Sequence, residues 1–168
     1  TETAVYFKER FSMTETLDEI KQAWIDMSLE KYQKEVPLKK GARRFLEELK
    51  VRNIPAGIAT SNGQVMVDAV LDALDIRPFF KVVTTACEVP AGKPAPDIYL
   101  EVARRLGVKP EACLVFEDVP AGILAGKRAG MTVVAVEDDF SKEMREEKKK
   151  LADYFIEDYN DKRLFTHQ

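Results

Sequence analysis

Runs of apolar, mostly β-branched residues alternate along the chain with segments whose apolar residues recur every three to four positions. The first pattern is typical of buried strands and the second of amphipathic helices. Predicted strands cover residues 54–60, 81–85, 112–118, 132–136 and 154–156. Predicted helices cover residues 43–50, 64–74, 97–106, 121–129 and 141–151, with Gly107 and Gly130 at C-terminal cap positions. Strands alternating with helices predict an α/β fold, a parallel sheet with helices on both faces.

The beginning of the chain has a helical pattern without strands. One face of a long predicted helix carries Leu17, Ile20, Trp24, Met27 and Tyr32. Pro37 and Gly41 interrupt the pattern before the first strand. We therefore predict a domain boundary near Val36, with residues 1–36 in one domain and residues 37–168 in another.

Composition limits the classes of function. The 168 residues are 45% hydrophobic and 33% charged, with a net charge of −3 that argues against nucleic acid as the main partner. No apolar run approaches the roughly 18 residues of a membrane span, and no charged and then apolar leader opens the chain. We expect a cytoplasmic protein without a membrane partner, in which Cys87 and Cys113 are reduced and packed.

Polar residues follow the first predicted strand. In open parallel sheets, ligands bind beyond the carboxyl ends of the strands, where helix N-termini point inward. Thr60, Ser61 and Asn62 leave the strand here, and a hydroxyl with backbone N–H groups can hold a phosphoryl oxygen. Ser61 and Gln64 also have the spacing of a capping box, so helix capping is the alternative interpretation.

A lysine follows the second strand end. Lys93 lies between a glycine and a proline, shortly before a predicted helix that begins near Pro96 and Asp97. A cation beside the positive N-terminus of a helix does not stabilise the fold. It does suit an anion that binds in front of the lysine and the helix N-terminus together. An exposed loop lysine without a function is the alternative.

Two adjacent carboxylates, Glu117 and Asp118, end the third strand within the segment LVFEDVPAGILAGKRAGM. Capping by Asp118 of the helix that contains Pro120 would account for one of them, with Glu117 in solvent. Two acids beside hydroxyls and a lysine instead suit a hard divalent cation, Mg²⁺ held partly through water. We expect this ion to compensate both charges, with Lys93 and Asp118 at a solvent-facing site for phosphoryl transfer.

The segments IATSN, GKPAPDIYL and VFEDVPAGILAGKRAGM occur in this order and resemble the second, third and fourth motifs of the haloacid dehalogenase superfamily. The resemblance is specifically to its β-phosphoglucomutase-like phosphatases. The resemblance implies a Rossmann-like core at residues 37–168 and the C-terminal part of a helical cap at residues 1–36. It also implies a Mg²⁺-dependent phosphomonoester hydrolase whose substrate is a small phosphorylated metabolite, with a sugar phosphate expected.

The resemblance also implies a role for six positions. Thr60 would hydrogen-bond the transferring phosphoryl group, with Ser61 and Asn62 in support. Lys93 would neutralise the nucleophile and the phosphate, Asp118 would hold Mg²⁺, and Glu117 would assist directly or through water.

The chain departs from this family at its start. Members begin with an Asp-x-Asp-x-Thr-type segment that supplies the nucleophile and the general acid and base, and no Asp-x-Asp occurs here. We therefore expect the first central strand, and the aspartate that would carry an aspartyl-phosphate, to lie outside the 168 residues. In the family that strand separates the equivalents of residues 54–60 and 112–118, so these two strands should not pair. The 168 residues alone should be catalytically inactive.

Three other functions compete with a phosphatase. A β-phosphoglucomutase-type phosphomutase would use the same residues. A signalling receiver also combines acids, a hydroxyl and a lysine at strand ends, but its acidic pair precedes the other two along the chain. A catalytically dead fragment that acts only as a binding module is the third. A dinucleotide-binding fold is disfavoured because no Gly-x-Gly-x-x-Gly follows a strand.

Overall fold

The computed structural model describes residues 2–165, and side chains from Ala4 onward. The α-helices of this range are α1 (Glu2–Arg10), α2 (Leu17–Lys34), α3 (Ala42–Val51), α4 (Gln64–Ala73), α5 (Asp97–Leu106), α6 (Pro120–Arg128) and α7 (Arg145–Leu151). The strands are β1 (Ala56–Thr60), β2 (Phe80–Thr85), β3 (Leu114–Glu117), β4 (Thr132–Val136) and β5 (Tyr154–Ile156). The predicted α/β class is confirmed. Within residues 2–165, no helix combines the length and the apolar character needed to span a membrane.

The last helix differs from its prediction. Apolar spacing predicts a helix from residue 141, whereas α7 begins at Arg145 and follows a 3-10 segment at Asp139–Met144. Ser141 has a non-helical backbone, with φ −108° and ψ 18°, and it is 1% exposed. Its hydroxyl donates to the backbone carbonyl of Asp118 at 2.6 Å. A tertiary hydrogen bond therefore replaces the first turn of the predicted helix.

The chain forms two compact units. The first contains the segment up to Pro37 together with Gln64–Leu74, and the second contains Leu38–Gly63 and the chain from Asp75 onward. In the first unit α2 packs against α1 and α4, and the ring of Trp24 lies edge-on to that of Phe7 at 5.3 Å. The assignment of residues 1–36 to a cap domain and 37–168 to a core domain stays a prediction.

The second unit contains all strands of the described range, and every strand pair is parallel. β1 pairs with β2, with Thr60 opposite Thr85, and β4 pairs with both β3 and β5. α5 packs against β1 and β2, α6 against β3 and β4, and α7 against β5. β1 and β3 belong to different sheets, so the prediction that they do not pair is confirmed.

A groove of about 1140 Å³ lies between these two sheets. It is lined along one side by β1 and along another by β3, with Phe45 of α3 and Val102 of α5 also contributing to its wall. Within residues 2–165, β1 pairs only with β2, and β3 pairs only with β4. The ends of both strands therefore open onto one apolar groove.

The core of the second unit forms where α5 and α6 cover the strands. Its buried cluster comprises Ile98, Tyr99, Ala103, Val115, Ile123, Ala125, Ala129, Met131, Val133 and Ala135. Gly41, the N-cap residue before α3, lies in the left-handed region at φ 80°, and a Cβ there would overlap the backbone of Tyr159 and Asn160. Only glycine combines this conformation with such a close approach. The packing holds the carboxyl ends of the strands, where the predicted site residues lie.

Candidate functional site

Lys93 joins the ends of β1 and β3. Its ammonium group donates to the backbone carbonyl of Ala59 at 3.2 Å and forms an ion pair with Oε1 of Glu117. Ala59 directly precedes Thr60 in β1. The predicted convergence of Lys93 with two strand ends is therefore present in the structure.

Lys93 is more buried than expected. Its side chain is 13% exposed, and its ammonium lies 5.1 Å from the centroid of the Tyr99 ring. The expectation that Lys93 lies at a solvent-facing mouth is wrong, because the ring of Tyr99 and the carboxylate of Glu117 cover it. A lysine held this way has its charge fixed in position and little freedom to reach elsewhere.

Glu117 also accepts a hydrogen bond from the Tyr99 hydroxyl through Oε1, and its side chain is 8% exposed. Burial raises the pKa of the Tyr99 hydroxyl above its ordinary value, and the negative charge of Glu117 raises it further. Tyr99 therefore remains protonated and donates to the carboxylate. Glu117 does not lie in solvent, and its Oε1 already has two donors.

Gly122 provides the space for this carboxylate. It lies in α6, and a Cβ built on it would overlap the carboxyl group of Glu117. Sequence reasoning missed both Gly122 and Tyr99. The signal for Gly122 was its position inside a predicted helix, where glycine is unfavourable unless a close contact requires it.

Asp118 contacts a lysine that the sequence analysis did not single out. Its Oδ2 lies 3.3 Å from the ammonium of Lys39, and its side chain is 38% exposed, so it lies at the expected mouth. The N-cap residue of α6 is Val119, and no side chain caps that helix. Capping therefore does not explain Asp118.

Lys39 bridges Asp118 and Asp138, a residue that follows β4. Burial alone would lower the pKa of the Lys39 ammonium, but hydrogen bonding to Asp138 and the charges of both carboxylates outweigh it, and the net shift is upward. Burial would likewise raise the pKa of Asp138, but the hydrogen bond from Lys39 and that from the Phe140 amide lower it overall. Lys39 and Asp138 are therefore both held in their charged forms.

The β1 loop carries the other predicted phosphate ligands. The hydroxyl of Thr60 accepts a hydrogen bond from the backbone N–H of Asn62 at 3.1 Å, which closes a tight turn after the strand. Ser61 and Asn62 are exposed. The Gln64 amide group donates to Asp68 at 2.9 Å, one turn further along α4. The phosphate-binding roles of Thr60, Ser61 and Asn62 stay predictions.

The residues present suit a magnesium ion with few protein ligands. Asp118 and Asp138 already share one cation, the Lys39 ammonium, so their oxygens face a common position. Within residues 2–165, no group of three or more His, Cys, Asp or Glu side chains is arranged to hold a metal. Mg²⁺ keeps several waters and is often bound through only one or two carboxylates. Asp118 and Asp138 can supply these carboxylates.

Comparison with known proteins identifies the family of this chain. A family model described as haloacid dehalogenase-like hydrolase matches residues 5–130. The chain belongs to the haloacid dehalogenase-like hydrolase family. This match confirms the predicted resemblance to the haloacid dehalogenase superfamily.

Among curated relatives of this haloacid dehalogenase-like chain is hexitol phosphatase A of Escherichia coli, 43% identical over 96 residues. The match covers 57% of this chain and 44% of that protein. The chain spans less than half the length of the curated relatives it matches.

Two solved structures extend the similarity to the fold. CbbY from Rhodobacter sphaeroides in complex with phosphate has a TM-score of 0.79 at 25% identity, covering 89% of this chain and 67% of that one. β-Phosphoglucomutase from Clostridium difficile has a TM-score of 0.71 at 26% identity, covering 86% and 60%. The fold of this chain is therefore similar to that of β-phosphoglucomutase-like members of the haloacid dehalogenase family.

Proposed function

We propose that this chain forms the phosphate- and metal-binding part of a Mg²⁺-dependent phosphomonoester hydrolase that acts on a small phosphorylated metabolite, with a sugar phosphate as the substrate class. The observation that carries the proposal is the position of Lys93, which contacts the end of β1 and the acidic end of β3 at once. A family match over residues 5–130 and a hexitol phosphatase among the relatives support it.

Each residue contributes charge or hydrogen bonds at a fixed place. The phosphoryl group would accept hydrogen bonds from the Thr60 hydroxyl and the β1 loop, with Ser61 and Asn62 in support. Lys93, held by Glu117, would neutralise negative charge on the transferring group. Phosphoryl transfer depends mainly on such positioning and on electrostatic stabilisation.

The metal would be held by Asp118, with Glu117 acting through water because its Oε1 already accepts two hydrogen bonds. Mg²⁺ would supply positive charge for the phosphate oxygens during transfer. At the mouth of the site, the carboxylate of Asp118 would lie beside the ammonium of Lys39. The ring of Tyr99 would shield the ammonium of Lys93 from water.

The nucleophile would come from outside the 168 residues. We propose that a strand ending in an aspartate fills the groove between β1 and β3, pairs with both, and forms the aspartyl-phosphate. The separate sheets and the groove between them support this placement. Residues 1–36 would then form the C-terminal part of a helical cap, and residues 37–168 the core.

Two alternatives to a phosphatase would use the same site residues. A phosphomutase would return an isomerised sugar phosphate and release little inorganic phosphate, and the similarity to β-phosphoglucomutase favours testing it. A binding module would retain ligand without converting it.

The test compares Lys93→Met with Lys109→Met in the full-length protein. Lys109 is an exposed lysine in the described chain, so its variant controls for loss of charge. We expect Lys93→Met to lower Mg²⁺-dependent phosphate release from sugar phosphates at least a hundredfold, with Lys109→Met unchanged. Equal phosphate release by both variants would refute the proposed role of Lys93, and isomerisation without phosphate release would identify a mutase.

A further inference from the structure

Lys148 is a fully buried lysine in α7, with 0% exposure. Its ammonium donates to three oxygens: the hydroxyl of Ser141 at 2.9 Å, Oε1 of Glu137 at 3.0 Å and the backbone carbonyl of Val136 at 3.3 Å. An ammonium group has three donors, so its hydrogen-bonding capacity is satisfied. Burial of a lysine in a core is costly unless the charge is paired and fully hydrogen-bonded.

One branch of this network leads to Asp118. The Ser141 hydroxyl accepts a hydrogen bond from Lys148 and donates one to the backbone carbonyl of Asp118 at 2.6 Å. Ser141 is itself 1% exposed, so water does not compete for either bond. Asp118 lies two residues before Pro120, the first residue of α6, and no side chain caps this helix. Lys148 of α7 therefore holds the backbone of Asp118, the predicted metal ligand, through the hydroxyl of Ser141.

The other branch leads to Asp138. Glu137 accepts from Lys148, and the same Oε1 accepts the backbone N–H of Asp138 at 3.1 Å. Burial would raise the pKa of Glu137, but the hydrogen bond from Lys148 and the one from Asp138 lower it overall. The two carboxylates that share Lys39 are thus anchored to one buried ammonium.

We propose that Lys148 is a positioning residue, which acts through Ser141 and Glu137 to fix the acidic loops that carry Asp118 and Asp138. This inference rests on the proposed function, because it gives the fixed loops the task of holding Mg²⁺. Groups behind the ligands of a metal site commonly change metal affinity by ten- to a hundredfold when they are removed. Lys148 does not touch substrate or metal.

The decisive variant is Ser141→Ala in the full-length protein. It removes the hydroxyl between Lys148 and Asp118 and leaves the bonds of Lys148 to Glu137 and Val136 in place. Lys148→Met removes all three hydrogen bonds of the ammonium group and serves as the second variant. Lys150→Met, an exposed lysine of α7, is the matched control.

The first readout is amide hydrogen exchange in metal-free buffer with EDTA. Gly122 and Ile123 donate to the carbonyl of Val119 in the first turn of α6 and report on the loop. We expect Ser141→Ala to speed their exchange about tenfold, with α5 and Lys150→Met unchanged. Wild-type exchange at both amides in Ser141→Ala would overturn the proposal.

The second readout is the affinity for Mg²⁺ alone, measured by calorimetry. We expect Ser141→Ala to weaken binding about tenfold and Lys148→Met to weaken it at least as much, with phosphate release recovering as Mg²⁺ is raised. Unchanged Mg²⁺ affinity in Ser141→Ala would also overturn the proposal. If the wild-type protein binds no Mg²⁺, the proposed metal-dependent function fails, and the exchange measurement still decides whether Lys148 positions the loop.

Discussion

Lys93 and Glu117, which lie 24 residues apart in the sequence, form an ion pair that is almost closed to solvent. The pair also reaches the carbonyl of Ala59, so one ammonium group ties together the ends of two strands that do not pair with each other. The charged groups of the site are therefore also part of the protein core. Substitution of Lys93 or Glu117 should affect stability as well as activity.

Glu117→Gln should destabilise the protein strongly. The variant keeps the shape of the side chain but leaves the ammonium of Lys93 without its counter-ion. Removing one partner of a buried pair costs roughly 3 kcal/mol in the free energy of unfolding. Urea denaturation measures this loss, with Glu111→Gln as the exposed control. A loss below about 1 kcal/mol, typical of a surface pair, would show that the ion pair contributes little.

Gly122→Ala should also destabilise the protein. Alanine is the better helix former by about 1 kcal/mol, so a gain in stability would follow if the site were open. Its methyl group would instead overlap the Glu117 carboxylate, and such overpacking costs roughly 1–3 kcal/mol. Gly92→Ala is the control, since a Cβ there has nothing within 4 Å. A more stable Gly122→Ala protein would contradict the observed contact.

Lys39→Met should tighten Mg²⁺ binding. The Lys39 ammonium occupies the position between Asp118 and Asp138, and its charge repels a divalent cation. We expect the dissociation constant for Mg²⁺ to fall at least threefold, measured by calorimetry with Lys40→Met as the neighbouring control. Weaker Mg²⁺ binding by Lys39→Met would show that the ion does not bind beside these two carboxylates.

Asp153 should make stability depend on pH in the acid range. The hydrogen bond from Lys127 and the one from the Val133 amide hold the pKa of this carboxyl below its ordinary value of 3.8. Its contribution is therefore fully present above pH 3.8 and is lost as pH falls through the lower folded-state pKa. The stability difference between wild type and Asp153→Asn should shrink below about pH 4. A difference that is independent of pH from about pH 3 to pH 7 would contradict this.

The sequence predicted the elements well because strand and helix patterns are local. The five strands found within residues 2–165 lie where β-branched runs predict them, and α5 occupies its predicted residues. Gly107 ends α5 in the left-handed region at φ 70°, as its cap position predicts. The start of α7 was mispredicted, because the bond from Ser141 to Asp118 joins residues 23 apart and leaves no periodic signal.

The site was only partly predictable for the same reason. Strand ends identified Lys93, Glu117 and Asp118, because parallel sheets gather their carboxyl ends at one edge. The partners that set their charge and burial come from elsewhere in the chain. Lys39 precedes the first strand and Lys148 follows the fourth, and neither belongs to a motif with a recognisable spacing.

The most direct test of the proposed function is phosphate release from a set of sugar phosphates by protein whose intact mass has been verified. We predict that the full-length protein releases phosphate with Mg²⁺ and loses this activity after chelation, and that protein whose mass matches only these 168 residues is inactive under both conditions. Activity that persists undiminished after thorough chelation, or robust activity from the 168 residues alone, would contradict a Mg²⁺-dependent enzyme whose nucleophile lies outside this chain.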